Sequence, residues 1–283
     1  MKIGIITVLY KSSSVIEGFI NSMNAQTWSE FDILFIENEV DEQYCETYIR
    51  NNSNFPFMFF RNEKNEGVAR GNNQGIEHYI AQDDITHILF LNNDIIVDSN
   101  FLEKQVEIMQ THPNVEALAP KIFYHGRGEK IWYAGGRLSY FKGGPVHFGH
   151  NKRDKLLGRE LFRINYAPTC SLIIRKGIFQ RTGIRMWEQL FVYQDDYVFC
   201  KELHKAKVRL YYIPSIHLQH KISISTGGHK SEFSRYYLAR NWAYTLRKFR
   251  NIFVLILPFI MILNALRGSH IENRAIIDSV KMP

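Results

Sequence analysis

Three places in the chain combine residue types suited to polar chemistry. The first is Asn92-Asn93-Asp94, which closes the apolar run at residues 88–91 and is followed by Ile95 and Ile96. Hard cations such as Mg²⁺ or Mn²⁺ take oxygen ligands and are often held by one or two carboxylates plus substrate phosphates. One Asp with neighbouring amides meets that demand, and a diphosphate would complete the shell. Asn and Asp also build turns, so the tripeptide alone leaves both readings open. The second place is Asp195-Asp196, followed by Val198, Phe199 and Leu203 at helical spacing. Acids at a helix start are stabilised by the macrodipole, which is one explanation. The other is general-base chemistry, with a carboxylate held beside an acceptor hydroxyl. The third is His217 and His220. A lone His is more often structural than a ligand, and His220 reaches a cation only if the fold brings it to the same edge as Asp94.

That edge must be supplied by the elements around it. The first half alternates strand and helix, with strands expected at residues 3–9, 32–37, 57–60, 88–91 and 115–122. Helices are expected after Ser14, at 41–51, at 68–82 and at 101–111. Ser14 and Glu17 fit a capping box, and Ile16, Phe19, Ile20 and Met23 fall on one helical face behind them. This alternation predicts right-handed crossovers and a doubly wound, mainly parallel α/β sheet flanked by helices. Ligands of such sheets bind beyond the carboxyl ends of the strands. Residues 7–11, 37–38, 61–65 and 92–94 stand at those ends and should converge. Beyond Phe123 the chain turns glycine-rich, aromatic and basic until a further strand at 167–174 and a short helix at 176–181.

Composition narrows the class. A chain of 283 residues with 45% apolar and 14% aromatic content supports a large globular core, not a disordered segment. The first residues run directly into a strand pattern, with no secretory signal. Three cysteines without metal or redox spacing suit a reducing, cytoplasmic setting. Of the formal charge of +7, the segment 121–163 alone accounts for +7, ten Lys or Arg against three acids. Such a surface favours phosphate-bearing ligands or an anionic membrane, and no nucleic-acid module accompanies it. Residues 252–263 are apolar throughout and follow Arg247, Lys248 and Arg250. The run is too short to span a bilayer, which takes about 20 residues. It suits a helix lying in the membrane interface, against the alternative of a helix packed on the domain, and the flanking cations favour the membrane.

Residues 61–75 place glycine and amides at a helix start, where backbone N–H groups could receive an anion. Gly67, Gly71 and Gly75 are spaced by four, which fits neither the phosphate-loop nor the dinucleotide pattern.

In this order the residues resemble an inverting glycosyltransferase of family 2, with the GT-A fold, and more narrowly its rhamnosyltransferase-like branch. The stretch 65–75, from Asn65 through Gly67, Arg70 and Asn73 to Gly75, is similar to the branch's signature. Asn92-Asn93-Asp94 falls where the family carries Asp-x-Asp, with Asn92 in place of the first acid. Phe191-Val192-Tyr193-Gln194-Asp195-Asp196 resembles the segment holding the catalytic base, though Val198 stands where a second Asp is often found. Arg240-Asn241 resembles a late Arg-Asn pair.

The resemblance implies donor contacts from Thr7, Leu9, Tyr10, Glu37, Asn65, Gly67, Arg70, Asn73, Asn92 and Asn93. It implies Mg²⁺ or Mn²⁺ on Asp94 and His220, with Asp196 as base beside Asp195. It divides the chain into a nucleotide-sugar half at 1–122, an acceptor and catalytic half at 123–243, and a C-terminal helical, membrane-associating tail at 244–283. The implied reaction moves a sugar, rhamnose from dTDP-rhamnose being favoured, to a lipid-linked surface glycan such as O-antigen or capsule. It would proceed in the cytoplasm at the inner face of the membrane. A UDP-hexose donor on the same fold is one alternative. A non-catalytic nucleotide- or glycan-binding subunit is another, motivated by Asn92 and Val198.

Overall fold

A computed structural model describes residues 1–38, 43–154, 160–221 and 231–283. Strands β1 (Ile3–Leu9), β2 (Phe31–Glu37), β3 (Phe57–Arg61) and β4 (His87–Leu91) alternate with helices α1 (Ile16–Asn24), α2 (Gln43–Asn52) and α3 (Gly67–Ile80). Then follow β5 (Ile95–Val97), α4 (Phe101–Thr111), β6 (Ala117–Tyr124), β7 (Ile131–Tyr133), β8 (Gly136–Ser139), β9 (Gly144–His147), β10 (Phe162–Ile164) and β11 (Ser171–Arg175). The remainder is α5 (Lys176–Thr182), α6 (Asp195–Lys205), β12 (Leu210–His220), α7 (Glu232–Lys248), α8 (Leu257–Leu266) and α9 (His270–Asp278). Residues 41 and 42 of the expected second helix, and Lys155 and Arg159 of the basic segment, lie outside the described residues.

The sheet runs β10-β12-β6-β11-β4-β1-β2-β3, with β5 and β7 paired to β12 and β6. Strands β1 to β4 are parallel, and helix crossovers connect them as the alternation requires. Beyond β4 the expectation of a mainly parallel sheet is corrected to a mixed one. Strand β11 inserts antiparallel between β4 and β6, and β10, β5 and β7 are antiparallel to their partners. Hydrophobic periodicity marks a strand as buried but carries no information about its direction. Strand β12 contains Pro214, and its register against β6 shifts between Ile213 and His217. A residue that cannot donate to the ladder is tolerated at such an irregularity.

The chain order places a switch point between β1 and β4, because β1 to β3 step toward one edge and α3 returns to the other side of β1. Helix α3 lies unusually close to the strands beneath it. A Cβ at Gly71 would stand 2.8 Å from the Val8 side chain, and one at Gly75 2.6 Å from Ile6. The four-residue glycine spacing therefore serves helix-on-sheet packing.

The expected capping box at α1 does not form. The helix begins at Ile16 with Val15 at its N-cap and no side-chain cap. The Ser12 carbonyl accepts from the amides of Val15 and Ile16 instead.

At the other end of the chain, the apolar stretch divides between the two alternatives. Leu257, Ile260 and Met261 join a cluster with Ala243, Leu246 and Ile276, while Phe259, Ile262 and Leu266 stay exposed. No helix among the described residues is long and apolar enough to cross a membrane.

Candidate active site

The carboxyl ends of β1 and β4 are locked together by small polar contacts. Thr7 Oγ1 donates to the Leu91 carbonyl at 2.9 Å. Asn93 Nδ2 donates to Ser12 Oγ at 2.6 Å, and the Tyr10 amide donates to the same oxygen at 3.0 Å. These bonds fix the turn that presents Asp94. Strand β12, pairing with β5 directly after that turn, brings His220 Nε2 to 3.1 Å from Asp94 Oδ2. Both side chains are buried. Burial by itself would depress the His220 pKa, but the charge of Asp94 and the neighbouring Cys170 outweigh it and lift it to about 10.

Asp195 and Asp196 reach the same place from the opposite wall. They open α6 after a loop in which Phe191, Tyr193 and Gln194 all have positive φ, of 67°, 64° and 63°. Such conformations persist in non-glycine residues only where the surroundings over-determine them. Helix α7 does so. The fully buried Asn241 donates through Nδ2 to the carbonyls of Leu190, Val192 and Tyr193. Arg240 donates to those of Gln189 and Leu190, and the Tyr193 and Ser234 hydroxyls lie 2.8 Å apart. The Arg240-Asn241 pair is thus a clamp on the loop that carries the acids.

Behind Asp196 stands a polar stack that the sequence reading missed. Tyr166 Oη donates to Asp196 Oδ2 at 2.6 Å, and the Tyr197 amide donates to its Oδ1 at 2.7 Å. The His147 ring stacks on Tyr166, with its Nε2 3.2 Å from the Tyr166 hydroxyl. Burial lowers the His147 pKa to about 4, so the ring is neutral at physiological pH. The aromatic content of the 123–163 excursion was the only signal for His147, and Tyr166 lies just beyond that stretch.

The two acidic sites and the Tyr166–His147 stack line one cavity of about 410 Å³. Of the residues singled out in the sequence, Tyr10, Asn65, Gly67, Asn92, Asn93, Asp94, Asp195, Asp196 and His220 face it. Asn38, one of the strand-end residues expected at this edge, also lines it, as do Trp132, His147, Tyr166 and Gln194, which were not anticipated as site residues.

Four expected donor-contacting side chains lie behind the wall, and a fifth stands beside it. Thr7 and Leu9 are buried in the sheet. Asn73 is buried against Met186, donating to its carbonyl and accepting from its amide. The buried Glu37 carboxylate takes Arg61 at 2.6 Å, leaving neighbouring Asn38 to face the cavity. Arg70 is exposed and pairs with Glu188 at 3.1 Å. His217 is outside as well, 3.3 Å from Asp98. Lys121 leaves the expected basic surface, because it is buried in a pair with Asp154 at 2.6 Å.

The first two amides of α3 are already engaged within the chain. The Gly67 amide donates to Asn65 Oδ1 at 2.9 Å, and the Val68 amide to the Phe191 carbonyl at 2.9 Å. Gly67 has φ +84°, and a Cβ there would lie 2.5 Å from the Phe191 carbonyl oxygen. Gly67→Ala should therefore cost about 2–3 kcal/mol through strain and overlap. Urea unfolding would read the loss, and a variant as stable as the wild type would contradict this geometry.

The residues present fit a divalent cation in one specific respect. Asp94 Oδ1 is buried and makes no hydrogen bond among the described residues, a costly state unless something else occupies it. No group of three or more His, Cys, Asp or Glu able to hold a metal occurs among the described residues. Asp94 and His220 would thus supply only part of a shell, the rest being ligand and water oxygens.

The acidic pair also has a stability consequence. Burial raises the Asp195 pKa from its ordinary 3.8 to about 8, and the adjacent Asp196 charge pushes the same way. Because the folded value is raised, the associated stability is complete below about pH 4 and is lost as pH climbs toward 8. Asp195→Asn should accordingly stabilise the ligand-free chain more at pH 7.5 than at pH 5, by up to about 3 kcal/mol. Urea titrations at both values measure this. An effect equal at the two pH values would contradict it.

A mixed α/β sheet flanked by helices, with a cavity at the β1/β4 switch point that carries carboxylates and amides on its wall, defines an α/β domain with a candidate ligand site. The chain belongs to glycosyl transferase family 2, whose model matches residues 4–182. The match ends before Asp195. No curated protein matches the chain.

Among solved structures, the fold is shared with GalNAc-T7 crystallised with UDP, GalNAc and Mn²⁺. The TM-score is 0.64 at 14% identity, over 87% of this chain and 48% of that one. It is also shared with S. aureus TarS, at TM-score 0.57 and 17% identity over 86% of this chain and 39% of that one. TarS residues 1–349 in complex with UDP-GlcNAc give 0.59 at 16% identity, over 87% and 66%. The chain therefore spans between two fifths and two thirds of these structures.

Proposed function

We propose that the chain is a metal-dependent inverting glycosyltransferase that moves a sugar from a nucleoside-diphosphate donor to a hydroxyl of a lipid-linked surface glycan. The observation that carries this reading is the meeting of Asp94 and His220 with Asp195 and Asp196 in one cavity at the switch point. Residues 1–122 supply the nucleotide side and 123–243 the acceptor and catalytic side. Tyr10, Asn38, Asn65, Asn92 and Asn93 are the side chains placed to hold the donor.

Asp94 and, once its proton is displaced, His220 would hold Mg²⁺ or Mn²⁺, which would neutralise charge on a departing diphosphate. Asp196 accepts the proton of the acceptor hydroxyl as its oxygen attacks the anomeric carbon. The Tyr166 hydroxyl, donating to Asp196 Oδ2, orients that carboxylate. The clamp from Asn241 keeps the loop in place, so the geometry is paid before the substrates arrive.

The motif resemblance favours dTDP-rhamnose as donor. A UDP-sugar is the second reading, favoured by UDP-GlcNAc in TarS and by UDP in GalNAc-T7. Membrane contact through 244–283, at the inner face of the cell membrane, suits a lipid-linked acceptor. Release of nucleoside diphosphate, measured with Mn²⁺ over a panel of dTDP- and UDP-sugars, tests the function. Turnover confined to one donor supports it. Donor binding without turnover across the panel would instead indicate a binding subunit.

A further inference from the structure

The tip of the β8–β9 hairpin and the stretch 252–266 are a hundred residues apart in sequence but form one surface. Phe141 packs edge-on against Phe253, with ring centroids 4.5 Å apart. Trp242 Nε1 donates to the Lys142 carbonyl at 2.9 Å, and Asn251 Nδ2 donates to that of Tyr140. Gly143, at φ +60°, sits so close to Leu246 that a Cβ would overlap it. The tip is therefore pinned, yet Tyr140 and Phe141 remain more than half exposed.

Along the partner stretch, Ile252, Leu255, Phe259, Ile262 and Leu266 are also more than half exposed. Their spacing alternates three and four, which from Phe259 onward makes a stripe down one side of α8. The other side of α8 is already used in the cluster with Ala243 and Leu246. Exposed apolar area of this extent marks an interaction face.

Charge decides what the face meets. From Ala243 to Ile271 the sequence has no Asp or Glu but contains Arg247, Lys248, Arg250 and Arg267. Beside the hairpin tip lies a pocket of about 250 Å³ lined by Tyr140, Phe141, Tyr197, Lys201, Phe249 and Arg250. Lys201 Nζ stands 3.2 Å from the Phe249 ring centroid and 5.3 Å from that of Tyr140. Nearby Glu202 is engaged by Lys205 at 3.8 Å, and neither Lys201 nor Arg250 has an ion pair among the described residues. A second copy of the chain would bring cation against cation, whereas an anionic lipid surface supplies both the apolar phase and the missing charge.

We propose that the chain docks on anionic phospholipid through both segments together, with a lipid phosphate seated beside Lys201 and Arg250 in this pocket. This deepens the lipid-linked acceptor reading, and its meaning for the acceptor rests on that reading. The hairpin that enters the lipid continues as β9 into the active cavity, where Pro145 and His147 form part of the wall. Burial in the pocket lowers the Lys201 pKa to about 8, a cost that an adjacent phosphate would relieve.

Co-sedimentation of the full chain with vesicles of phosphatidylcholine, with or without phosphatidylglycerol, tests the proposal. The wild type should sediment with the anionic vesicles and be released by high salt. The double variant Leu255→Ser, Phe259→Ser should lose binding, and Phe141→Ser and Lys201→Gln should each weaken it on the order of tenfold. All three variants should keep the wild-type thermal shift with UDP or dTDP and Mn²⁺, which reports folding and the nucleotide site separately. If the double variant loses binding while Phe141→Ser and Lys201→Gln sediment like the wild type, the hairpin and its pocket are overturned and only the C-terminal contact stands. If the wild type binds neither vesicle, or if Leu255→Ser, Phe259→Ser dissolves a dimer instead, the lipid surface itself is overturned.

Discussion

Replacing Asp196 by Asn should lower turnover about 10²–10⁴-fold while leaving donor affinity close to that of the wild type, because a general base acts only as the proton moves. Asn is nearly isosteric, and its one oxygen can still accept from the Tyr197 amide, while its Nδ2 can donate to the Tyr166 hydroxyl, which reverses its role from donor to acceptor. What it lacks is a lone pair basic enough to take a proton. Steady-state release of nucleoside diphosphate, paired with donor titration, separates the two quantities. A loss of donor affinity comparable to the loss of turnover would move Asp196 from base to donor ligand.

Asp94→Ala should abolish the metal-dependent part of donor binding. A ligand present at about 100 times its dissociation constant stabilises the fold by about 2.7 kcal/mol. Without Asp94 only His220 of the two proposed ligands is left, and that stabilisation with Mn²⁺ and donor should fall below about 1 kcal/mol. Loss of stability in the ligand-free variant is a separate quantity, since the Asp94 backbone carbonyl still accepts from the Lys221 amide. A Mn²⁺-dependent shift that survives in Asp94→Ala would show that the cation is held elsewhere.

The parts of this site that were legible in the sequence are those encoded locally. Strand β1 and helix α4 have the expected bounds, and β2 to β4 differ by one residue at an end, because apolar runs bounded by polar residues define them. Asp94 and Asp195-Asp196 announced themselves as charges set against apolar runs. The antiparallel entry of β11 was not legible, since strand direction is decided by pairing with β4 and β6 far away in sequence. Nor was the burial of Thr7 and Asn73, whose polar atoms are satisfied by Leu91 and Met186, partners that appear only in three dimensions. Tyr166 and His147 were missed for the same reason. Each is an unremarkable aromatic in its own segment and gains meaning only from its contact with Asp196 or with the other. The glycines of α3 had a regular spacing whose cause, contact with Val8 and Ile6, is equally non-local.

The central claim is a single displacement in this cavity, and the stereochemistry of donor turnover tests it most directly. Slow hydrolysis of the active nucleotide sugar, with water as acceptor, can be followed by proton NMR before the released sugar mutarotates. The first sugar to appear should carry the anomeric configuration opposite to that of the donor. Appearance of the donor's own anomer first would contradict the account.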